Sequence, residues 1–304
     1  MKLSSAALPT IELLSVDDWT DYELLDSGEG QKLERYGQIR LIRPEPEAVW
    51  MKGLDESEWK KADAFYKPAP EENGGHWEFY HSLPDRWKMS YHDLNFWAQP
   101  SSSRHLGVFP EQANQWNWSQ QWIQEKGGTP KVLNLFGYTG IASLAAAQVG
   151  AQVTHLDASR KVVTWANENQ RLSNLSQAPI RWIIDDALKF VQREHRRGAT
   201  YDGIILDPPK FGRGPKGEVW EFYKLIPILL DACRQILTPD PLFVQLTAYA
   251  VKASSITLYY AMEEIMRSFD GTTTAGELGL IEKSRGRFLS MAIFARWHTN
   301  KIKL

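Results

Sequence analysis

Apolar and polar positions alternate in short runs over the first third of the chain and gather into longer blocks after it. Tyr22-Glu23-Leu24-Leu25 and Gln38-Ile39-Arg40-Leu41-Ile42-Arg43 read as strands on either side of the turn-forming cluster Asp26-Ser27-Gly28-Glu29-Gly30. Ala48-Val49-Trp50-Met51 and Trp77-Glu78-Phe79-Tyr80 read as two further strands, with a loop at 68–75 between them. Residues 1–98 are therefore expected to form a small β-rich domain. Gln99-Pro100-Ser101-Ser102-Ser103 is expected to connect it to a second domain, 99–304.

From about residue 110 the rhythm changes. Residues 112–126 predict a helix, stopped by Gly127-Gly128-Thr129-Pro130. Strands predicted at 131–136, 152–157, 180–185, 201–207 and 242–248 then alternate with helices at about 140–149, 159–173, 186–197 and 219–237. A helix at 254–268 follows, and 272–282 and 288–297 read as two strands joined by Lys283-Ser284-Arg285-Gly286-Arg287. Strict alternation of strand and helix implies a parallel sheet covered on both faces. The fold class is α/β: a Rossmann-like doubly wound sheet with a C-terminal antiparallel hairpin. Ligands of such a sheet gather at the carboxyl ends of its strands, near the point where strand order reverses.

Those strand ends carry the candidate chemistry. Gly137 and Gly140 close the first strand and open its helix, where glycine permits a tight turn and close ligand approach. Their Gly-x-x-Gly spacing lacks the third glycine of the dinucleotide fingerprint, which argues against a dehydrogenase. Thr139 is placed to cap the helix or to bond a ligand carboxylate at the positive helix end. Asp157 ends the second strand, where a carboxylate accepts from ribose hydroxyls. Asp186, after the third strand, is expected to accept from an adenine amino group, with Asp185 as the helix cap. The fourth strand ends in Asp207-Pro208-Pro209-Lys210-Phe211. Two prolines donate no N–H and hold φ near −65°, so their carbonyls are expected to be fixed in direction and free to accept. A flat acceptor with an N–H edge, such as a nucleobase, fits that description.

Composition narrows the class. The chain has 304 residues, 43% hydrophobic and 24% charged, as in ordinary globular proteins. No run approaches the roughly 18 consecutive apolar residues of a membrane span. The N-terminus lacks the apolar core of a signal peptide, so a cytoplasmic protein is the simplest reading. A single cysteine excludes an internal disulfide and a cysteine-rich metal site, and no zinc ligand set is evident. Net charge is −2, so a nucleic-acid partner must be met by a local basic patch. Thirteen tryptophans, many before residue 125, read first as core packing and second as stacking platforms for bases.

The motifs Asn134-Leu135-Phe136-Gly137-Tyr138-Thr139-Gly140, Leu156-Asp157-Ala158-Ser159, Asp186-Ala187 and Asp207-Pro208-Pro209-Lys210-Phe211 together resemble the large-subunit rRNA methyltransferase I/K family. His105-Leu106-Gly107-Val108-Phe109-Pro110-Glu111-Gln112 is similar to that family's Gly-x-Phe-x-x-Gln segment, which lies against the cofactor. The resemblance covers roughly 104–297 and extends more faintly to 22–43. It implies a class I methyltransferase that uses S-adenosyl-L-methionine. By the same resemblance Phe109, Asn134, Phe136, Gly137, Tyr138, Thr139, Gly140, Asp157, Ala158, Ser159, Asp186, Ala187 and Asp207 hold the cofactor. RNA is the implied substrate.

The chain departs from that pattern in two places. The N-terminal RNA-binding PUA domain of the fuller family members has no obvious counterpart in this sequence. Thr247 stands where its cytosine-C5 enzymes carry a cysteine after the fifth strand. Carbon 5 of cytosine needs a thiolate added at carbon 6, and the lone Cys233 shares a helical face with Leu229, Ile236 and Leu237. Direct transfer to nitrogen is therefore the expected chemistry. Asp207 and the Pro208 carbonyl would hold the amine, Phe211 would stack on the base, and Lys210 would meet a phosphate or ring carbonyl. Arg213, Lys216, Arg285 and Arg287 are expected to clamp RNA phosphates. The rival readings are a methyltransferase acting on a protein or small molecule, and a cofactor-binding protein without turnover. Oligomeric state is not legible.

Overall fold

The structure is a computed structural model that describes residues 8–69, 74–101 and 103–302. Its first part contains β1 (Ile11–Leu14), β2 (Tyr22–Gly28), β3 (Gln31–Tyr36), β4 (Ile39–Pro44) and the single turn α1 (Glu56–Trp59). It continues with β5 (Ala64–Pro68), β6 (Gly75–Phe79), β7 (Trp87–Tyr91) and β8 (Leu94–Ala98). A 3-10 turn at Pro110–Gln112 leads into α2 (Ala113–Lys126).

The alternating part follows: β9 (Lys131–Leu135), α3 (Ile141–Gln148), β10 (Gln152–Asp157), α4 (Arg160–Leu172), β11 (Ile180–Ile184), α5 (Ala187–Arg196) and β12 (Gly203–Leu206). After β12 come the short hairpin β13 (Phe211–Arg213) and β14 (Val219–Glu221), then α6 (Phe222–Arg234), β15 (Phe243–Ala248) and α7 (Ser255–Met266). The long hairpin β16 (Gly271–Ile281) and β17 (Phe288–Thr299) ends the fold.

The large sheet has the order β1-β16-β17-β15-β12-β9-β10-β11. β9 pairs in parallel with β10 on one side and with β12 on the other, so strand order reverses beside β9. All four residues of β12 are buried, as expected of a central strand covered by helices on both faces. β17 runs antiparallel to both β15 and β16. The doubly wound sheet and its terminal hairpin are as the hydrophobic pattern predicts.

The small part differs more from expectation. β2 to β6 form a five-stranded sheet in chain order, with β4 and β5 parallel. β3 escapes the periodicity because buried Lys32 and Glu34 occupy inward positions that an apolar pattern would fill. The stretch 48–51 is not a strand. The carbonyls of Ala48 and Trp50 accept from Gly30 and Glu29 N–H groups, so it braces the β2–β3 turn instead of joining a ladder. The expected loop at 68–75 falls partly on Pro70 to Asn73, outside the described residues. The expected helix at 219–237 begins as strand β14, which pairs with β13.

One strand and one core cross the expected boundary at residue 98. β1 lies at the edge of the large sheet, parallel to β16. One core runs through both parts: Trp19, Tyr22, Tyr36 and Leu41 pack with Phe96, Trp116, Ile141, Leu144 and Leu289. None of the nine tryptophans between Trp19 and Trp122 is in the exposed class, so they act as packing and not as open stacking platforms.

A charged clasp fastens the two parts. Glu282, fully buried at the start of the β16–β17 turn, accepts from Ser27 Oγ at 2.5 Å and the Ser27 N–H at 3.1 Å. Arg285 Nε donates to it at 2.6 Å, and Arg285 Nη2 reaches the Ser27 carbonyl at 2.8 Å. Ser284 Oγ donates to buried Asp26 at 2.6 Å. This buried carboxylate is paired with Arg285, and removing it leaves the guanidinium uncompensated. Glu282→Gln is expected to lower stability by about 2 kcal/mol, discounted from the fully buried case because Arg285 is part-exposed. Lys283→Ala, which breaks only the exposed contact to Glu23, is expected to cost under about 1 kcal/mol. Urea unfolding of both variants checks the difference; equal losses would remove the clasp from the account.

Candidate active site

Register brings the acidic strand ends to one rim. Leu135 of β9 lies opposite Leu156 of β10 and Leu206 of β12, so Phe136, Asp157 and Asp207 follow at the same level. Asp157 in turn pairs with Ile184, which places Asp185 and Asp186 one step on. A cavity of about 580 Å³ opens over this rim, within the roughly 300–1,000 Å³ typical of small-ligand sites. Asp157, Ala158, Ser159, Asp186, Ala187, Asp207 and Pro208 line it from the large sheet. Lys32, Arg43 and Glu45 line it from the small sheet, His105, Phe109 and Glu111 from the connector, and Ser290 and Met291 from the terminal hairpin. A side chamber of about 50 Å³ adjoins it, lined by Asn134, Gly137, Thr139, Gln245 and Thr247. Phe109, Phe136, Tyr138 and Asp207 face both.

The turn after β9 is strained. Phe136 and Tyr138 hold φ of 58° and 49°, and Gly140 holds 84°. Left-handed backbone costs a non-glycine residue about 1–2 kcal/mol and persists only where surroundings enforce it. Here the Gly137 N–H bonds the Leu156 carbonyl at 2.9 Å, and the Tyr138 N–H bonds Asp157 Oδ2 at 3.0 Å. A Cβ at Gly137 would lie 2.4 Å from the His155 ring, so the position demands glycine. His155 is itself buried and bonded to Ser143, which accepts from Asn134 Nδ2 at 2.9 Å. Asn134 thus supports the turn from below.

Asp157 accepts the Ser159 N–H at 2.8 Å on Oδ1 as well. Burial nonetheless raises its pKa above the usual carboxylate value, outweighing those bonds. A carboxylate so placed gains by meeting hydroxyl donors. Two expected roles are reassigned. Asp186, not Asp185, caps α5, accepting the Lys189 N–H at 2.9 Å. Asp185 instead pairs with Arg193 at 2.6 Å. Thr139 does not cap α3, because its hydroxyl donates to the Gly107 carbonyl at 2.5 Å.

Asp207 faces the cavity and accepts from Gln112 Nε2 at 3.0 Å. Burial, and then repulsion from Glu111, push its pKa up to about 8, against the Gln112 hydrogen bond. The proline carbonyls are not equivalent. Trp220 Nε1 donates to the Pro209 carbonyl at 2.6 Å, so that one is occupied. The Pro208 carbonyl has no hydrogen-bond partner among the described residues. Phe211 does not line the cavity and is 56% exposed on β13. The rings that do line it beside Asp207 are Phe136 and Trp220, with centroids 4.9 Å apart.

The four expected phosphate contacts separate. Arg213 lines the cavity together with Lys210. Lys216 is exposed and lies outside it. Arg285 is committed to the Glu282 clasp, and Arg287 sits over the Trp50 ring at 5.8 Å. Both arginines lie in the β16–β17 turn and outside the residues lining the cavity.

The family described as S-adenosylmethionine-dependent methyltransferase matches residues 76–251, more than half of the chain. A crystal structure of the SAM-dependent methyltransferase from Agrobacterium tumefaciens is 46% identical, with a TM-score of 0.91, covering 96% of this chain and 95% of that one. The chain belongs to the S-adenosylmethionine-dependent methyltransferases. The structure of SMU.776 complexed with SAH shares the fold at 18% identity and a TM-score of 0.71, covering 92% of this chain and 76% of that one. Ribosomal RNA large subunit methyltransferase K/L of Hahella chejuensis is 33% identical over 155 residues, which is 50% of this chain and 20% of that protein. Ribosomal RNA large subunit methyltransferase I of Cronobacter sakazakii is 27% identical over 129 residues, 42% of this chain and 32% of that protein. The chain thus spans a third or less of the length of these curated relatives.

The methyltransferase's cavity fits its cofactor. Asp157 would offer acceptors to a ribose diol, Asp186 lines the same cavity where it could meet an amino group, and Phe136 and Tyr138 of the strained turn line it as well. S-adenosylmethionine supplies an electrophilic methyl on a sulfonium. Among the described residues no cluster of three or more His, Cys, Asp or Glu could hold a metal.

Sequence reasoning did not single out Glu111, Tyr249, His105 or the small-sheet pair Lys32 and Arg43. Glu111 and His105 lie in a segment with no periodicity, and their roles depend on the small sheet folding over them. Burial and the nearby Arg43, Arg104 and Lys32 push His105 down to about 3, so its ring is neutral at pH 7.

Asp157→Ala is expected to weaken S-adenosylmethionine and S-adenosylhomocysteine equally, by about 10- to 100-fold, the value of about one hydrogen bond to a charged group. Titration calorimetry measures both; unchanged affinity would place the ribose elsewhere.

Proposed function

We propose that this methyltransferase places a methyl on a nitrogen of a nucleobase in RNA, with ribosomal RNA the favoured substrate. The observation that carries the reading is the pairing of a cavity-facing Asp207 with the lack of any available thiol. Cys233 is 1% exposed in the core, and burial raises its thiol far above its ordinary value. Thr247, at the position of the expected cysteine, is buried and accepts from Gln115 at 3.1 Å. Carbon methylation of a pyrimidine by covalent addition has no nucleophile here. Direct transfer to nitrogen needs alignment and a place for the departing proton.

Asp207 supplies both. Its carboxylate accepts from one acceptor N–H, and the Pro208 carbonyl, bonded to nothing else, accepts from the other. These bonds turn the nitrogen lone pair toward the cofactor. Phe136 and Trp220 offer the apolar face on which a base rests. Lys210 and Arg213 lie on the same side, where they meet the backbone of the acceptor strand. A base inside a helix does not reach this depth, so the acceptor is single-stranded or flipped out. The names of the curated relatives support RNA over a protein or small molecule. The small β-rich part, which walls the cavity with Lys32, Arg43 and Glu45, confines the acceptor to about one base. Work on ribosomal RNA would place the enzyme in the cytoplasm.

The test is transfer of labelled methyl to ribosomal RNA from a strain lacking this protein, followed by nucleoside mass spectrometry. An N-methylated base is expected. Asp207→Ala is expected to reduce transfer by more than about 100-fold while changing S-adenosylhomocysteine affinity less than about threefold. A 5-methylpyrimidine, or label in protein instead of RNA, would overturn the reading.

A further inference from the structure

Glu111 is 1% exposed, and its Oε1 has no hydrogen-bond partner among the described residues. Such an atom is rare in a native interior and calls for an explanation. Glu111 adjoins Gln112, whose side chain is bonded to Asp207, and Glu111 and Asp207 line the same cavity. Tyr249 lines it too, and its buried hydroxyl also lacks a bond of good geometry although it lies close to Glu111.

Cations do not neutralise this pair. Lys32 of β3 faces Glu111, but its ammonium is held by Glu45 at 3.1 Å. Arg43 of β4 faces it as well, yet is bound through two nitrogens to Glu34, at 2.6 and 2.7 Å. Tyr22, Tyr36 and Tyr249 contribute no positive charge; Lys210 and Arg213 also line the cavity, but among the described residues the only charged neighbour acting on Asp207 is Glu111. Two carboxyl groups sharing a desolvated site without a free cation do not both ionise. In agreement, both groups are shifted upward, Glu111 by burial and Asp207 by burial and by Glu111.

We propose that Glu111 and Asp207 hold one proton between them in the free enzyme, and that this proton leaves when a cationic cofactor enters the cavity. The inference rests on the reading that Asp207 faces the reacting nitrogen. Glu111 is then a positioning residue that acts through Asp207. It keeps Asp207 protonated while the cavity is empty, so Asp207 is a free acceptor only in the loaded enzyme. When the acceptor's N–H bond breaks, its electron pair stays on nitrogen and the proton goes to Asp207 Oδ. The pair is thereby returned to its singly protonated form, with the site's charge unchanged over the cycle.

Titration calorimetry near pH 7 in two buffers of different ionisation enthalpy tests this without any acceptor. Wild-type enzyme is expected to release close to one proton per S-adenosylmethionine bound and close to none with neutral-sulfur S-adenosylhomocysteine. S-adenosylmethionine affinity relative to S-adenosylhomocysteine should rise with pH up to about 8, by at most about tenfold per unit. Glu111→Gln is expected to abolish the release and flatten that ratio; Glu111→Asp is expected to keep both. Equal proton counts for the two ligands on wild-type enzyme would overturn the proposal, whether or not the variants fold. Full release in Glu111→Gln would remove Glu111 from it. An N-methylated product together with equal proton counts would sink the shared proton and leave the nitrogen reading standing. A carbon-methylated product with unequal counts would do the reverse.

Discussion

Ending a buried parallel strand in a carboxylate is costly unless something is there to receive it. Desolvation of a charged group costs several kcal/mol even after the protein relaxes, and the tip of β12 sits among neighbours that supply few donors. Among the described residues the Asp207 carboxylate accepts one hydrogen bond, from Gln112, and has an acidic neighbour in Glu111. The fold tolerates this because β12 is locked between β9 and β15 and the two prolines leave the following backbone no alternative course. The cavity follows from that constraint. A group that is under-satisfied in the free protein is one a ligand with N–H bonds and positive charge can satisfy.

The other acidic tips are better supplied, and the contrast separates their tasks. Asp157 takes two backbone N–H groups and Asp186 takes one as a helix cap. Each is anchored with an acceptor left over, which suits holding hydroxyl or amino groups of a bound cofactor. Asp207 is the least satisfied and lies where the large cavity and the small chamber meet. On the proposed reading, chemistry falls to the poorly satisfied tip and binding to the well satisfied ones.

The small sheet is part of this arrangement, not an appendage to it. Its Glu34–Arg43 pair is buried beside Tyr22 and Tyr36, with Glu34 held down at about 2 by Arg43 and Lys32 despite its burial. That pairing consumes the cations that would otherwise neutralise Glu111. The Glu282 clasp and the shared aromatic core keep the sheet over the rim. Electrostatics at Asp207 therefore depend on contacts made far along the chain from it.

The wound sheet, its strand ends and the three acidic tips were legible in the sequence because β9, β12 and β15 are largely apolar runs between turn signals and strand and helix patterns alternate around them. β3 was not, because Lys32 and Glu34 face inward as partners of residues on other elements. β1 was not, because four residues carry no period of their own and its partner β16 lies some 260 positions away. Phe211 and Arg285 were assigned to the site from chain proximity to it; the pairing of β13 with β14 and the clasp to Ser27 take them out of it. Glu111 was in plain view, yet nothing local distinguishes a buried acid from a solvated one. The most direct check is a crystal structure with S-adenosylhomocysteine. The expected result is a ribose on Asp157, an adenine beside Asp186 and a thioether sulfur opening toward Asp207. A ligand seated away from these three carboxylates, or a sulfur turned from Asp207, would contradict the account.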